Sequence, residues 1–251
     1  MNVEQEKKLD SRPGYWASHE YKRHSVDRDI QLTGFIGWRT FSDILDAAQV
    51  ERNRKLILSA FKIGGRINEV LGCCHEHFRI AESPDDGTEY LLADAIPLSK
   101  RWKKIGEVQL PGGHKKFLTQ HIEAFRTFAL PLEDKIEPFS EEFASFVLDK
   151  TRSGLLFPSP YKRLKGKSLS TTRAYQIVRF DVGERAAAGL AGKLYLYNHL
   201  LRAWRASQLR KERKFEPYDL MEFFMWRDYK TAFIYAKEGV WGLAGKGLKQ
   251  I

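Results

Sequence analysis

Hydrophobic positions along the chain recur with two periods. Within Thr40 to Ile63, the residues Leu56, Ala60 and Ile63 form one stripe with Ile57 and Phe61 alongside, a spacing that predicts helix. Gly64-Gly65 breaks the pattern, and Arg66 opens a second helical run with Ile67, Val70 and Leu71 facing inward. Phe78-Arg79-Ile80 and Tyr90-Leu91-Leu92 read as short strands joined by the turn sequence Pro84-Asp85-Asp86-Gly87. From Lys100 to about Lys116 the chain is basic and contains glycine, with Pro111-Gly112-Gly113 turning near its end, which predicts a long loop. Phe125 to Leu132 supplies a third strand. Helical spacing then returns: Phe143, Phe146 and Val147 share one face, with acidic residues opposite. Leu155-Leu156-Phe157-Pro158 is a connector, and Thr171 with Thr172 can cap a helix through Phe180. Runs from Leu194 to Leu209, Tyr218 to Met225 and Tyr229 to Ala236 complete the set. Met1 to Gly34 is polar and weakly periodic, read as an arm or a remnant. The order of helices, small sheet and helices predicts an α+β, mostly α domain.

Composition narrows the class. The 251 residues are 43% hydrophobic and 29% charged, enough apolar surface to bury a core. No apolar run approaches the roughly 20 residues of a membrane span, and the first residues are too polar for a signal peptide. Cys73 and Cys74, the only cysteines, form no disulfide framework, which points to a reducing cytoplasm. The net charge of +10 calls for a polyanion partner, and the charge is segregated. Lys150 to Phe180 contains no acidic residue; Pro97 to Lys116 and Leu201 to Phe215 each hold six Lys/Arg against one Glu; Pro131 to Asp149 is acidic. Such segregation implies one strongly positive face suited to phosphates.

Few residues offer chemistry. Cys73, Cys74, His75 and His77 crowd five positions, but zinc needs a second ligand pair elsewhere, so a structural or surface role is expected and no metal. No phosphate-binding loop, dinucleotide fingerprint or Gly-x-Ser-x-Gly elbow occurs. A set remains in chain order: Arg66 after the Gly-Gly break, His199-Leu200-Leu201-Arg202 with both polar residues on one helical face, Trp226, and Tyr235 nine residues later.

This set resembles the catalytic domain of the tyrosine recombinases, the phage-integrase family. Gly64-Gly65-Arg66-Ile67-Asn68-Glu69-Val70-Leu71 is similar to the family's first motif, with Asn68 where serine is usual, and His199 to Leu209 is similar to its His-x-Leu-Arg helix. Trp226 and Tyr235 fall at the matching offsets, and the resemblance covers about Phe35 to Glu238. It implies a small antiparallel three-stranded sheet beside a helical bundle. It also implies an enzyme that cuts and rejoins DNA through a 3′-phosphotyrosyl link, with neither metal nor ATP and no cofactor.

The physics of those positions agrees. A tyrosine hydroxyl becomes nucleophilic beside positive charge or a base, which fits Tyr235. Arg66 and Arg202 can stabilise charge building on the non-bridging oxygens, His199 can accept or position a proton, and Trp226 supports the site. Glu69 either orients a neighbour or sits on the helix surface. The family's general-acid lysine lies on the loop after the second strand; here Lys100 is preferred and Lys103 second, among Lys104, Lys115 and Lys116. Tyr229, three residues after Trp226, is set aside as a rival nucleophile. Lys103, Lys104, Lys162, Arg163, Lys165, Lys167, Arg173, Arg179 and Arg205 are read as phosphate contacts on double-stranded DNA.

The expected organisation is an arm at 1–34 without a complete core-binding domain, a catalytic domain at 35–238, and a tail at 239–251 able to dock on a neighbouring protomer in a DNA-bound assembly. The DNA would belong to a nucleoid, plasmid or virus. The alternatives are a relaxing topoisomerase or telomere resolvase, and a non-catalytic DNA-binding protein with the same fold.

Overall fold

Two helices precede the Gly-Gly break in the computed structural model, which describes residues 35–99, 102–109, 111, 114–132, 134–189, 194–229 and 231–232. Helix α1 spans Trp38–Asp46 and α2 spans Glu51–Ile63, where the periodicity had predicted one run from Thr40. A continuous helix would set Phe41 and Phe61 about 30 Å apart at 1.5 Å per residue. Folding back at Ala47–Val50 instead brings their rings to 4.5 Å, within an aromatic cluster completed by Phe35 and Trp38. Burial of that cluster outweighs the helical propensity of the break.

Helix α2 stops at Gly64, whose φ of +61° is left-handed and whose amide bonds the Ala60 carbonyl. A Cβ at Gly64 would sit 2.6 Å from a Phe224 ring carbon, so both conformation and space require glycine. One short turn, α3 (Ile67–Leu71), follows, with Val70 and Leu71 buried as predicted.

The sheet has the predicted three strands, antiparallel in the order β1 (Phe78–Glu82), β2 (Glu89–Pro97), β5 (Phe125–Pro131). Leu91 pairs with both Ile80 and Leu130, and Gly87, with φ +70°, closes the first hairpin. Between β2 and β5 the predicted loop is instead a second antiparallel hairpin, β3 (Trp102–Gln109) with β4 (Lys115–His121). It escaped the sequence because β4 is exposed throughout and shows no buried face to alternate with.

Helix α4 (Ser140–Val147) buries Phe143 and Val147, while Glu142 on its other side grips Arg54 and Lys55 of α2 at 2.8 and 3.0 Å. Ser170, not the threonines, caps the next helix by accepting the Arg173 amide at 3.1 Å. That helix runs beyond Phe180 as α5 (Thr171–Gln176), a π-helical turn (Ile177–Val182) and α6 (Gly183–Gly189). Helix α7 (Asn198–Glu212) begins later than Leu194, because Leu196 is already buried from an extended segment. Helix α8 (Pro217–Phe224) starts on proline at its first turn. Among the described residues, no helix is long and apolar enough to cross a membrane.

Candidate functional site

A helix start, a strand end and the interior of a long helix meet at one buried carboxylate. Arg66 caps α3, and its amide donates to Glu69 Oε2 at 2.8 Å while its guanidinium donates to Oε1 at 2.9 Å. Ser99, just after β2, donates to the same Oε1 from its amide and its hydroxyl, each at 3.1 Å. Arg202 of α7 approaches Oε2 at 3.5 Å. Burial alone would push the Glu69 carboxyl up, but the Arg66 amide and the charges of Arg202 and Arg66 outweigh it and hold it below the usual range. Glu69 therefore stands as an anion that orients both arginines. Its side chain is fully buried, which excludes the helix-surface alternative.

The two arginines differ in access. Arg66 is 38% exposed, whereas Arg202 is 2% exposed and donates to the Gly64 carbonyl at 2.7 Å and the Phe224 carbonyl at 3.4 Å. A further arginine, Arg126 of β5, donates to the neighbouring carbonyls of Ile63 and Phe223. Together they staple the C-terminal ends of α2 and α8, where unpaired carbonyls and the helix dipole favour cations. Burial lowers the Arg126 pKa to about 10. The sequence reading missed Arg126. Its signal was a cation at a buried parity in the strand Phe125-Arg126-Thr127-Phe128, between residues of one apolar face.

Trp226 is set by the end of α8. Met225 takes a left-handed φ of +51°, its amide bonds the Glu222 carbonyl, and the Trp226 amide returns to Met221 at 2.9 Å. The indole then stacks on Phe224 with centroids 4.6 Å apart, and the Arg202 guanidinium lies 4.8 Å from the Phe224 centroid and 5.6 Å from that of Trp226. His199 lies exposed in the first turn of α7, three residues before Arg202. Lys100 and Tyr235 lie outside the described residues. Tyr229, the rival tyrosine, packs its ring 5.2 Å from that of Tyr218.

The basic segments divide in two. Lys162, Arg163, Lys165 and Lys167 are all exposed on one loop, shaped by a 3₁₀ turn (Lys162–Leu164), Gly166 at φ +81° and the bond from the Ser159 amide to the Lys167 carbonyl. Arg173 pairs with Asp181 at 2.7 Å, and the Arg179 guanidinium lies 3.9 Å from the Tyr195 ring centroid. Lys104 bonds Glu107 at 3.1 Å, and Lys103 pairs with Gln120 across the β3–β4 ladder.

Arg205 corrects the sequence reading. It is buried, bonding Glu137 and Gln208 at 2.7 Å each, and cannot reach an external phosphate. Glu137 also takes bonds from Lys62 at 3.0 Å and Arg213 at 3.3 Å. The acidic run from Pro131 to Asp149 is thus partly an internal counter-charge to the basic run of α7, rather than a separate face.

The cysteine–histidine cluster serves packing. Cys73 donates to the Glu69 carbonyl at 3.2 Å, and burial pushes its thiol up to about 12. His75 Nδ1 lies 3.0 Å from the Val147 carbonyl, and His77 Nδ1 accepts the Cys74 amide. Among the described residues, no three potential ligands gather to hold a metal.

No protein-family profile matches the chain, and no curated protein sequence matches it. Solved structures do. The XerH site-specific recombinase in a post-cleavage complex with palindromic difH substrate superposes with a TM-score of 0.50 at 17% identity over 86% of this chain. The same recombinase in a pre-cleavage complex with difH gives 0.48 at 19% identity over 86% of the chain. The chain spans about half the length of these relatives, 53% and 54%. The fold is that of a tyrosine-recombinase catalytic domain, a helical bundle with a small antiparallel sheet.

Proposed function

We propose that the chain is a site-specific DNA recombinase that cleaves and rejoins strands through a tyrosine. The observation that carries this reading is the arginine cluster at the ends of α2 and α8. Arg66, Arg126 and Arg202 surround a single carboxylate, Glu69, and only Arg66 opens to solvent. An excess of guanidinium over carboxylate in a partly dry pocket favours an incoming dianion or a phosphodiester gaining charge. Arg66 contacts a non-bridging oxygen, and Arg202 raises the local positive potential from beneath, where low dielectric strengthens its effect.

In this reading the Tyr235 oxygen attacks phosphorus while His199 takes its proton. The bond from phosphorus to the 5′ oxygen breaks, and Lys100 supplies the proton that makes it a 5′ hydroxyl. A 3′-phosphotyrosyl link holds the bond energy, so attack by a 5′ hydroxyl from a partner strand restores the diester and frees the tyrosine. Rejoining consumes no ATP. The exposed loop carrying Lys162, Arg163, Lys165 and Lys167 grips the backbone beside the break. Residues 35–238 form the catalytic unit, with 1–34 as an arm, and 239–251 links protomers on DNA.

Covalent trapping tests it. The protein is mixed in EDTA with nicked duplexes that release a short 5′ fragment on cleavage, across a panel of random and attachment-like sequences, then run on a denaturing gel. A protein–DNA adduct lost in Tyr235→Phe and in Arg66→Ala is expected. Tight duplex binding without adduct on any duplex would replace this reading with a binding protein of the same fold.

A further inference from the structure

Strand β1 ends the three-stranded sheet and is bonded to β2 on one side only. Alternate residues of such a strand turn their N–H and C=O groups outward, a template for another extended chain. A groove of about 500 Å³ opens beside it. Phe78 packs on Phe143 of α4, with ring centres 6.0 Å apart. Ile80 has the same strand parity and so lies on the α4 side of the sheet, yet it is 49% exposed. Helix α4 ends at Val147, and Val147 and Leu148 line the groove, with the Val147 carbonyl 3.0 Å from His75 Nδ1. The charges around the groove are unequally engaged. Glu76 accepts the Gly154 amide at 2.7 Å, and Asp149 accepts from Thr151 at 2.6 Å and from Arg152 at 3.1 Å. Arg79 and Lys150 are exposed and form no ion pair among the described residues, so the rim is left cationic.

We propose that this edge and groove dock an extended acidic peptide from a partner protein, which adds a fourth strand beside β1. Apolar residues at every second position of the peptide lie over Ile80 and Leu148, and its carboxylates lie beside Arg79 and Lys150. The inference goes beyond the cleavage reading and does not depend on it. Charge complementarity selects this occupant over three others. A duplex would meet the cations but leave the strand edge and the apolar groove unused. A second copy, brought up by a two-fold axis, would set the same cationic rim against itself. The tail at 239–251 carries Lys246 and Lys249 and no acidic residue, so it complements the rim poorly. The five residues of β1 offer roughly 17 Å of edge, enough for a peptide strand of similar length.

The test uses the full chain and fluorescence anisotropy with labelled synthetic peptides that alternate valine with glutamate or aspartate. A control peptide has lysine in place of each acid. N-methylation of the valine amides blocks one edge of the peptide, and N-methylation of the acidic residues' amides blocks the other. The acidic peptide is expected to bind and the lysine peptide not to bind. Strand addition uses one edge, so one methylated version should bind like the parent and the other at least about tenfold more weakly, from two or more lost hydrogen bonds. Amide hydrogen exchange at Phe78 to Glu82 should slow in the complex. Arg79→Ala/Lys150→Ala should weaken binding by about tenfold, from two exposed ion pairs. Ile80→Ser should weaken it by about as much through lost apolar burial. An unchanged circular dichroism spectrum and melting temperature will show that these variants fold, and covalent DNA trapping by them should match wild type. No binding by any acidic peptide, or equal binding by both methylated versions, overturns the proposal and leaves the cleavage reading standing. Displacement of the peptide by duplex DNA reassigns the face to DNA, and tighter binding by a peptide of residues 239–251 reassigns it to the tail. Self-association in light scattering that is lost in Ile80→Ser reassigns it to a second copy of the chain.

Discussion

Replacing Glu137 with glutamine should destabilise the protein by about 4 kcal/mol, because that carboxylate is the hub of a buried cation cluster. It is 2% exposed and accepts from Lys62, Arg205, Arg213 and Gln208 at 3.0, 2.7, 3.3 and 3.2 Å. The magnitude follows from what each cation can do once the carboxylate is neutral. Lys62 is already pushed down to about 8 by burial against the pull of Glu137, which corresponds to about 3 kcal/mol of penalty at neutral pH against an unfolded value of 10.5. Without Glu137 it sheds its proton at pH 7, which caps its penalty at about 5 kcal/mol, or a little over about 1 kcal/mol more than in the wild type. Arg205 cannot shed a proton and stays a buried cation with amide partners only, which supplies the rest. Lys62→Met is the counterpart. It removes the strained cation and leaves Glu137 paired with both arginines, so it should be neutral or stabilising.

Urea and thermal unfolding followed by tryptophan fluorescence measure both variants, and Glu137→Gln should melt roughly 10 °C below wild type for a chain of this size. The pH dependence adds a signature. Lys62 has its folded pKa lowered from 10.5 to about 8, so the unfolded chain binds more protons in that window and stability should rise from pH 8 to 10. Lys62→Met should abolish that rise. Glu137 has its pKa lowered despite the opposing effect of burial, by Arg205 and Lys62, so its contribution should fade as pH drops below the ordinary carboxylate range. If Lys62→Met proves more damaging than Glu137→Gln, the carboxylate is not the hub and the charge reasoning fails.

Other outcomes follow from single features. Gly64→Ala meets both a positive φ and the Phe224 ring at 2.6 Å, so it should cost about 3 kcal/mol in thermal or urea unfolding and weaken DNA binding through Arg202. Arg126→Ala strands the Ile63 and Phe223 carbonyls and should cost about 2–5 kcal/mol, measured the same way. Alanine at Lys162, Arg163, Lys165 and Lys167 together should leave the melting temperature unchanged and flatten the salt dependence of duplex binding by a slope of about three to four, read by anisotropy across a salt series.

The sequence made the sheet legible because Pro84 to Gly87 carries turn chemistry between two apolar runs, and β5 alternates. It made the α1–α2 break illegible, because Ala47 to Val50 contains neither glycine nor proline; only the aromatic cluster, a long-range effect, forces the turn. The β3–β4 hairpin was hidden for the opposite reason, since no core imposes a pattern on it. In the arginine cluster, Arg66 after the Gly-Gly break and Arg202 on its helix were legible from their places in the pattern. Arg126 and Glu69 needed three dimensions, since their roles come from carbonyls and cations far away in the chain. Arg205 misled because charge in a sequence does not reveal which side of a helix is wet.

The carbonyl staple made by Arg202 makes the position doubly constrained. One guanidinium fastens two helix ends and, in the proposed reaction, also lends its charge to the phosphate, so that reaction and the fold would constrain the same codon. Lysine, a single ammonium with no planar fork, cannot span both carbonyls in the same way, and a neutral isostere that keeps an N–H donor still loses the charge. Drift at Arg202 is therefore resisted even in a lineage without that chemistry, whereas the half-exposed Arg66, one of several groups that hold Glu69, is under less structural constraint there. A descendant that has become a pure binding protein should first show its change of occupation at Arg66.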